Sequence, residues 1–189
     1  MHADIAALEA DFDAVEQDAR ALLEGLDEST GGWRSAAGTW SVAECLDHLA
    51  TANTVYLRAM EPNAARALAR GRLRRRPALP GLVGGWFVRS LEPPVKASTR
   101  RKAPAVITPR VAPPLADAAR AFFASHQAVR AFLHRYAGTD LAGVRFRNPF
   151  IGVIHFRLAT GLHVLAAHER RHLWQARRVR DEALRAAAA

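Results

Sequence analysis

Trp40-Ser41-Val42-Ala43-Glu44-Cys45-Leu46-Asp47-His48-Leu49 contains both a helix start and a chemically unusual residue. Ser41 and Glu44 stand at the spacing of a capping box: the Ser41 hydroxyl accepts from the Glu44 backbone N–H, and the Glu44 carboxylate reaches back to the Ser41 N–H. A helix therefore starts at Val42. Val42, Leu46, Leu49, Asn53, Tyr56 and Met60 then recur at three and four, which makes one face of that helix. Pro62 is expected to end it, because proline lacks an N–H and restricts the residue before it.

Outward from this segment the same period returns. Ile5, Leu8, Phe12, Val15, Ala19, Leu22 and Leu26 form the seam of a first helix, followed by Gly31-Gly32. Nine of the ten prolines lie between Pro62 and Pro114, so long helices are expected outside that stretch, with two short ones inside it over 64–70 and 82–91. A connection of this length is usually functional or ordered against the body. Leu115, Ala118, Phe122, Ser125, Val129, Phe132, Leu133 and Tyr136 predict a third long helix ending near Gly138. After a joint at Asn148-Pro149, a fourth is expected from near Ile151 past Val179, with Ile154, Leu158, Leu165, His168, His172, Ala176 and Val179 on one stripe. No segment reads as an alternating strand. The expected fold is all-α: an up-and-down four-helix bundle forming one domain over 1–189, with a Pro/Arg-rich crossover insertion at 62–113 between the second and third long helices.

Half of the 189 residues are apolar and a quarter are charged, enough buried surface to exclude global disorder. The most apolar window, 151–167, is interrupted by His155, Arg157 and His163, which argues against a membrane span, and no membrane partner is expected. The opening Met1-His2-Ala3-Asp4 lacks the basic, then apolar character of a signal peptide, so a cytoplasmic location is expected. The lone Cys45 excludes an internal disulfide. The formal charge of +9 is polarised: residues 1–61 carry net −9, residues 62–113 net +11 and residues 114–189 net +7. A basic middle of this kind suggests nucleic acid only weakly, since it lacks the interleaved aromatics of single-strand binders. Docking against the acidic N-terminal part, or simple solvation, is the favoured reading.

His168 and His172 are four apart, so both imidazoles leave adjacent turns toward one spot on the core-facing stripe. Such a pair is either a satisfied boundary pair or two ligands for Zn, Ni or Fe. His48, on the flank of the second long helix's apolar face, can complete a three-histidine site that leaves an open position for water or substrate. His163 is a candidate for the layer behind the ligands, whereas His2, His126, His134 and His155 show no matching geometry. His168-Glu169-Arg170-Arg171-His172 also fits the H-E-x-x-H pattern of zinc peptidases. Leu173-Trp174-Gln175 does not continue that pattern, and no strand is expected to present a peptide.

The segment from Trp40 to Leu49, together with His168-x3-His172-x2-Gln175, resembles the helix-two and helix-four signatures of the DinB/YfiT-like metalloenzymes. Leu91-Glu92-Pro93-Pro94-Val95-Lys96 and the basic stretch after it are similar to the crossover of one subgroup. The resemblance covers most of the chain and implies a four-helix bundle. It also implies a divalent metal, Zn or Ni, on His48, His168 and His172. Some characterised members are S-transferases or isomerases that use a low-molecular-weight thiol such as mycothiol, bacillithiol or glutathione, and many have no known reaction.

The expected function is therefore a metal-dependent enzyme acting on a small-molecule substrate, of the thiol-dependent S-transferase, isomerase or hydrolase type. A non-catalytic metal-containing binding or stress-response module is the alternative. Asn53 and Tyr56 are candidates to orient a substrate, Gln175 to bond a ligand histidine, and Lys96, Arg101 and Lys102 to clamp a carboxylate at the bundle mouth. Trp33, Trp40 and Trp174 are expected to close the bundle ends. A homodimer is compatible with the apolar helix faces.

Overall fold

The computed structural model describes residues 2–95 and 103–188 and is mostly helical. Lys96, Arg101 and Lys102 lie outside the described residues. Four long helices make the body: α1 (Ala3–Leu23), α3 (Val42–Ala69), α5 (Leu115–Tyr136) and α6 (Leu158–Ala187). Two shorter ones, α2 (Glu28–Gly32) and α4 (Gly81–Leu91), lie in the connections, and Ala105–Ile107 makes a single 3₁₀ turn. The capping box forms as expected, with the Glu44 N–H donating to Ser41 Oγ at 3.1 Å and the Ser41 N–H to Glu44 Oε2 at 2.9 Å. Arg34 pairs with the same carboxylate.

Two apolar clusters give the helices their directions. One gathers Ile5, Leu8 and Phe12 of α1, Tyr56, Met60 and Ala64 of α3, Leu133 and Tyr136 of α5, and Leu158, Leu162 and Leu165 of α6. The other gathers Val15, Ala19 and Leu22 with Leu46, Leu49, Ala118, Phe122, Leu173 and Ala176. The first thus joins the starts of α1 and α6 to the ends of α3 and α5. Helices α3 and α5 run parallel, and α1 and α6 run against both. The alternating up-and-down order expected from the sequence is corrected to up, down, down, up. Its cause is the crossover: residues 70–114 must return the chain over the length of α5, about 33 Å for its 22 residues.

Further expectations change. Pro62 does not stop α3, which continues to Ala69, so the separate helix expected over 64–70 is its last turns. Pro62 and Arg58, whose carbonyl loses its helical donor, are both exposed, and water can satisfy that carbonyl. Buried Ala64 and Ala67 pack on the first cluster and offset the cost of the proline. The last helix begins at Leu158 rather than near Ile151, because a small hairpin precedes it. Strands β1 (Arg145–Arg147) and β2 (His155–Arg157) pair antiparallel with Phe146 opposite Phe156, both buried. The Asn148 side chain shapes the turn by accepting from the N–H groups of Phe150 and Ile151 at 2.8 and 3.0 Å. Finally, Glu28 of α2 caps α5, accepting from the Leu115 and Ala116 N–H groups at 2.6 and 3.0 Å. Pro114 offers no such side chain.

Candidate metal centre

His48 projects from the second turn of α3 and is buried; His168 and His172 leave successive turns of α6. Each contributes one ring nitrogen to a group whose members all lie within 4.8 Å of one another. The ring centroids are 4.5 to 5.0 Å apart, and Nε2 of His48 is 3.3 Å from Nε2 of His168. Residues separated by 120 positions thus meet because α3 and α6 are antiparallel neighbours.

The support behind His48 comes from the crossover. Its Nδ1–H donates to the Ile107 carbonyl at 2.5 Å, which fixes the ring and leaves Nε2 as the acceptor facing His168. Ile107 is held there by Arg110, whose backbone N–H, Nε and Nη2 donate to the Asp47 carboxylate at 2.8, 2.8 and 2.6 Å. Trp40, expected at a bundle end, instead walls the site: its ring centroid is 4.7 Å from that of His48 and 5.7 Å from that of His172.

Burial lowers the basicity of all three imidazoles. For His48 the Ile107 hydrogen bond and the Asp47 charge oppose this. His168 is pushed down to about 3 by burial, with His48 and Arg171 adding to the effect. His172 is held well below its ordinary value by burial, then by His168 and His48, against a hydrogen-bonding contribution from Gln175. The rings are thus neutral near pH 7, the form in which imidazole donates to a metal. Nδ1 of His172 is buried without a hydrogen-bond partner among the described residues. An acceptor nitrogen facing another ring nitrogen at 3.3 Å calls for a proton or a cation between them. The donor set suits a divalent transition metal.

The other candidates lie at different places. Gln175 follows His172 by three residues and is half-buried. Asn53 is fully buried in the interior, where its amide donates to Ser125 Oγ at 3.1 Å and Glu169 Oε1 at 2.7 Å. Glu169 also accepts from His126 Nδ1, 3.2 Å from each carboxylate oxygen. This places Glu169 in the core between α3, α5 and α6, with partners that are not the three histidines, and it removes the geometry a peptidase base would need. Tyr56 packs its ring at a tilt against Phe150 and accepts from Asn148 Nδ2 at 3.2 Å, beneath the hairpin. His163 donates through Nε2 to the Ala78 carbonyl at 3.0 Å, fastening the segment before α4. Cys45 is buried, and desolvation raises its thiol far above the range in which a thiolate forms.

Sequence reasoning missed the Ile107 carbonyl, because a backbone acceptor carries no residue signature. The Asp47–Arg110 pair had only a weak one, an acid beside His48 and an arginine in the crossover.

The profile of the DinB superfamily matches residues 11–176, a span that includes all three histidines. The chain belongs to the DinB superfamily. Comparison with curated proteins and with solved structures gives no match. Its DinB segment runs from within α1 to within α6, so the crossover that presents Ile107 and the Asp47–Arg110 pair belongs to the matched region.

Proposed function

We propose that this DinB-superfamily chain is a metal-dependent enzyme acting on a small molecule, built as a single four-helix-bundle domain with His48, His168 and His172 holding one divalent metal. The convergence of three neutral ring nitrogens from two helices carries the reading. When bound, Zn or Ni would lower the pKa of a thiol or water at its open position, supplying thiolate or hydroxide near neutral pH. The chain's own residues then orient the ligand set and shape the approach. The Ile107 carbonyl holds His48 in one tautomer, Asp47 and Arg110 hold Ile107, and Trp40 covers one side of the rings. Cys45 is too deeply buried to be the thiol, so a thiol-dependent reaction would draw on an external low-molecular-weight thiol. The reaction class proposed is S-transfer or isomerisation with such a thiol, or hydrolysis.

Metal content of untagged protein, measured by mass spectrometry beside His48→Ala, His168→Ala and His172→Ala variants, tests the site. About one equivalent in the native protein and little in each variant is expected, since three ligands leave no redundancy. Turnover of electrophiles with thiols should vanish in the same variants. Metal bound stoichiometrically with no turnover across thiols, electrophiles and esters would favour the non-catalytic module instead. No metal uptake in any form, even on reconstitution, would overturn the site.

A further inference from the structure

Helix α4 is fastened to the body by one side only. Gly84 and Gly85 are buried, and a Cβ on Gly84 would come within 2.7 Å of the Thr160 side chain, so glycine permits the close approach to α6. The Thr160 hydroxyl donates to the Pro80 carbonyl at 2.8 Å, and Arg170 pairs with Glu92 at 2.5 Å just past the helix end. The opposite side meets solvent with large apolar groups: Leu82 is 94 % exposed, Val83 74 % and Trp86 65 %, with Leu79 at 55 % just before the helix. Leu82, Trp86 and Arg89 recur at four and three, so the arginine borders the same face.

The chain leading into this face is strongly basic. Between Glu61 and Glu92 it holds seven arginines and no carboxylate. Arg74 is committed to Asp4, and Arg72 approaches Asp140. Arg70, Arg75, Arg76 and Arg89 are exposed and make no ion pair among the described residues. Arg76 stands three positions before Leu79, at most about 10 Å along the chain, so the arginine segment leads directly into the apolar face.

We propose that α4 and the arginine segment before it form a surface that docks reversibly on an anionic membrane. Leucine, valine and tryptophan side chains on a short rigid helix enter the headgroup boundary, while arginines beside them meet lipid phosphates. The charge selects this occupant over the others. A second copy on a two-fold axis would bring the same arginines face to face. A nucleic acid would account for the arginines and leave Leu82 and Val83 in water. The contact lies on the bilayer rather than through it: among the described residues no helix is long and apolar enough to cross a membrane.

Co-sedimentation of the full chain with phosphatidylglycerol/phosphatidylcholine vesicles, against phosphatidylcholine alone, tests the surface. Two double variants accompany it, Leu82→Ser with Trp86→Ser and Arg75→Ser with Arg76→Ser. All four positions are exposed, and circular dichroism and thermal melting confirm that each variant folds. Binding to the anionic vesicles is expected to exceed binding to the neutral ones by roughly tenfold or more at about 0.1 M salt, and to fall as salt is raised. Each variant is expected to lose most of it. Three results would overturn the proposal: no association with anionic vesicles, association that both variants retain, or a concentration-dependent dimer abolished by Leu82→Ser with Trp86→Ser in a protein that ignores vesicles. Capture of duplex DNA, indifferent to the apolar variant and without vesicle binding, would equally assign the arginines elsewhere.

Discussion

Asp47 does not belong to the group of three histidines, yet it holds the contact that orients His48. Its carboxylate takes three donors from Arg110, and through Arg110 it keeps the Ile107 carbonyl against Nδ1. Replacing partners one shell away from a metal ligand typically weakens affinity 10- to 100-fold. Asp47→Asn is accordingly expected to reduce metal affinity about tenfold, read by competition with a chromophoric chelator, while thermal stability without metal changes little. An unchanged affinity would show that the crossover contributes nothing to the centre. Asn53 sits at the other extreme, with both its bonds inside the core. Asn53→Ala removes a donor from buried Glu169 and should cost about 2–3 kcal/mol in denaturant unfolding. Metal content per folded molecule should stay the same, and its loss would return Asn53 to the site. The three histidines were legible because spacing and helical phase predict where imidazoles meet. The Ile107 carbonyl was not, since every residue has one and only the folded crossover brings this one within reach.

Pro62 shows how far local rules reach at the scale of one helix. Within a helix interior proline costs about 3 kcal/mol, and here α3 tolerates it because buried Ala64 and Ala67 pack beyond it. Pro62→Ala should restore the bond to the Arg58 carbonyl and stabilise the chain by about 1–2 kcal/mol, after allowing for the freer unfolded chain. That corresponds to a rise in Tm of roughly 3–6 °C for a chain of this size. A lower Tm would mean that the proline ring packs better than its exposure suggests. The long helices were readable from their three-and-four apolar period, and the start of α3 from its capping box. The hairpin was not: Arg145-Phe146-Arg147 and His155-Phe156-Arg157 each offer a single buried residue between two polar ones, too short an alternation to stand out. Helix direction was equally hidden, because periodicity carries no sign. The long crossover, which allows α5 to run parallel to α3, was read with an up-and-down order nonetheless.

Across the whole molecule, the acidic start of the chain is tied to its basic middle. Asp4 accepts from Arg74 at 2.5 Å and from the Ala78 N–H at 2.6 Å, joining α1 to the segment that enters α4. The Arg74 guanidinium holds the Asp4 carboxyl down at about 2, against an ordinary 3.8, with burial opposing. A depressed carboxylate adds stability that is complete above its unfolded pKa and is lost as pH falls through its folded one. The tie should therefore hold above about pH 4 and disappear toward pH 2, a change on the order of 2 kcal/mol. In Asp4→Asn that part of the acid transition should be missing from urea midpoints measured across this window, and midpoints that still parallel the native ones would refute the assignment. The three histidines impose a different order of events. His48 emerges from the ribosome 120 residues before His168, and at roughly 5–20 residues per second about 6–24 s separate them. Throughout that interval the nascent chain holds only one of the three imidazoles and no pocket. A metallated centre would thus mark a polypeptide that has been made through α6, and a chain cut short in α5 would lack two of the three ligands.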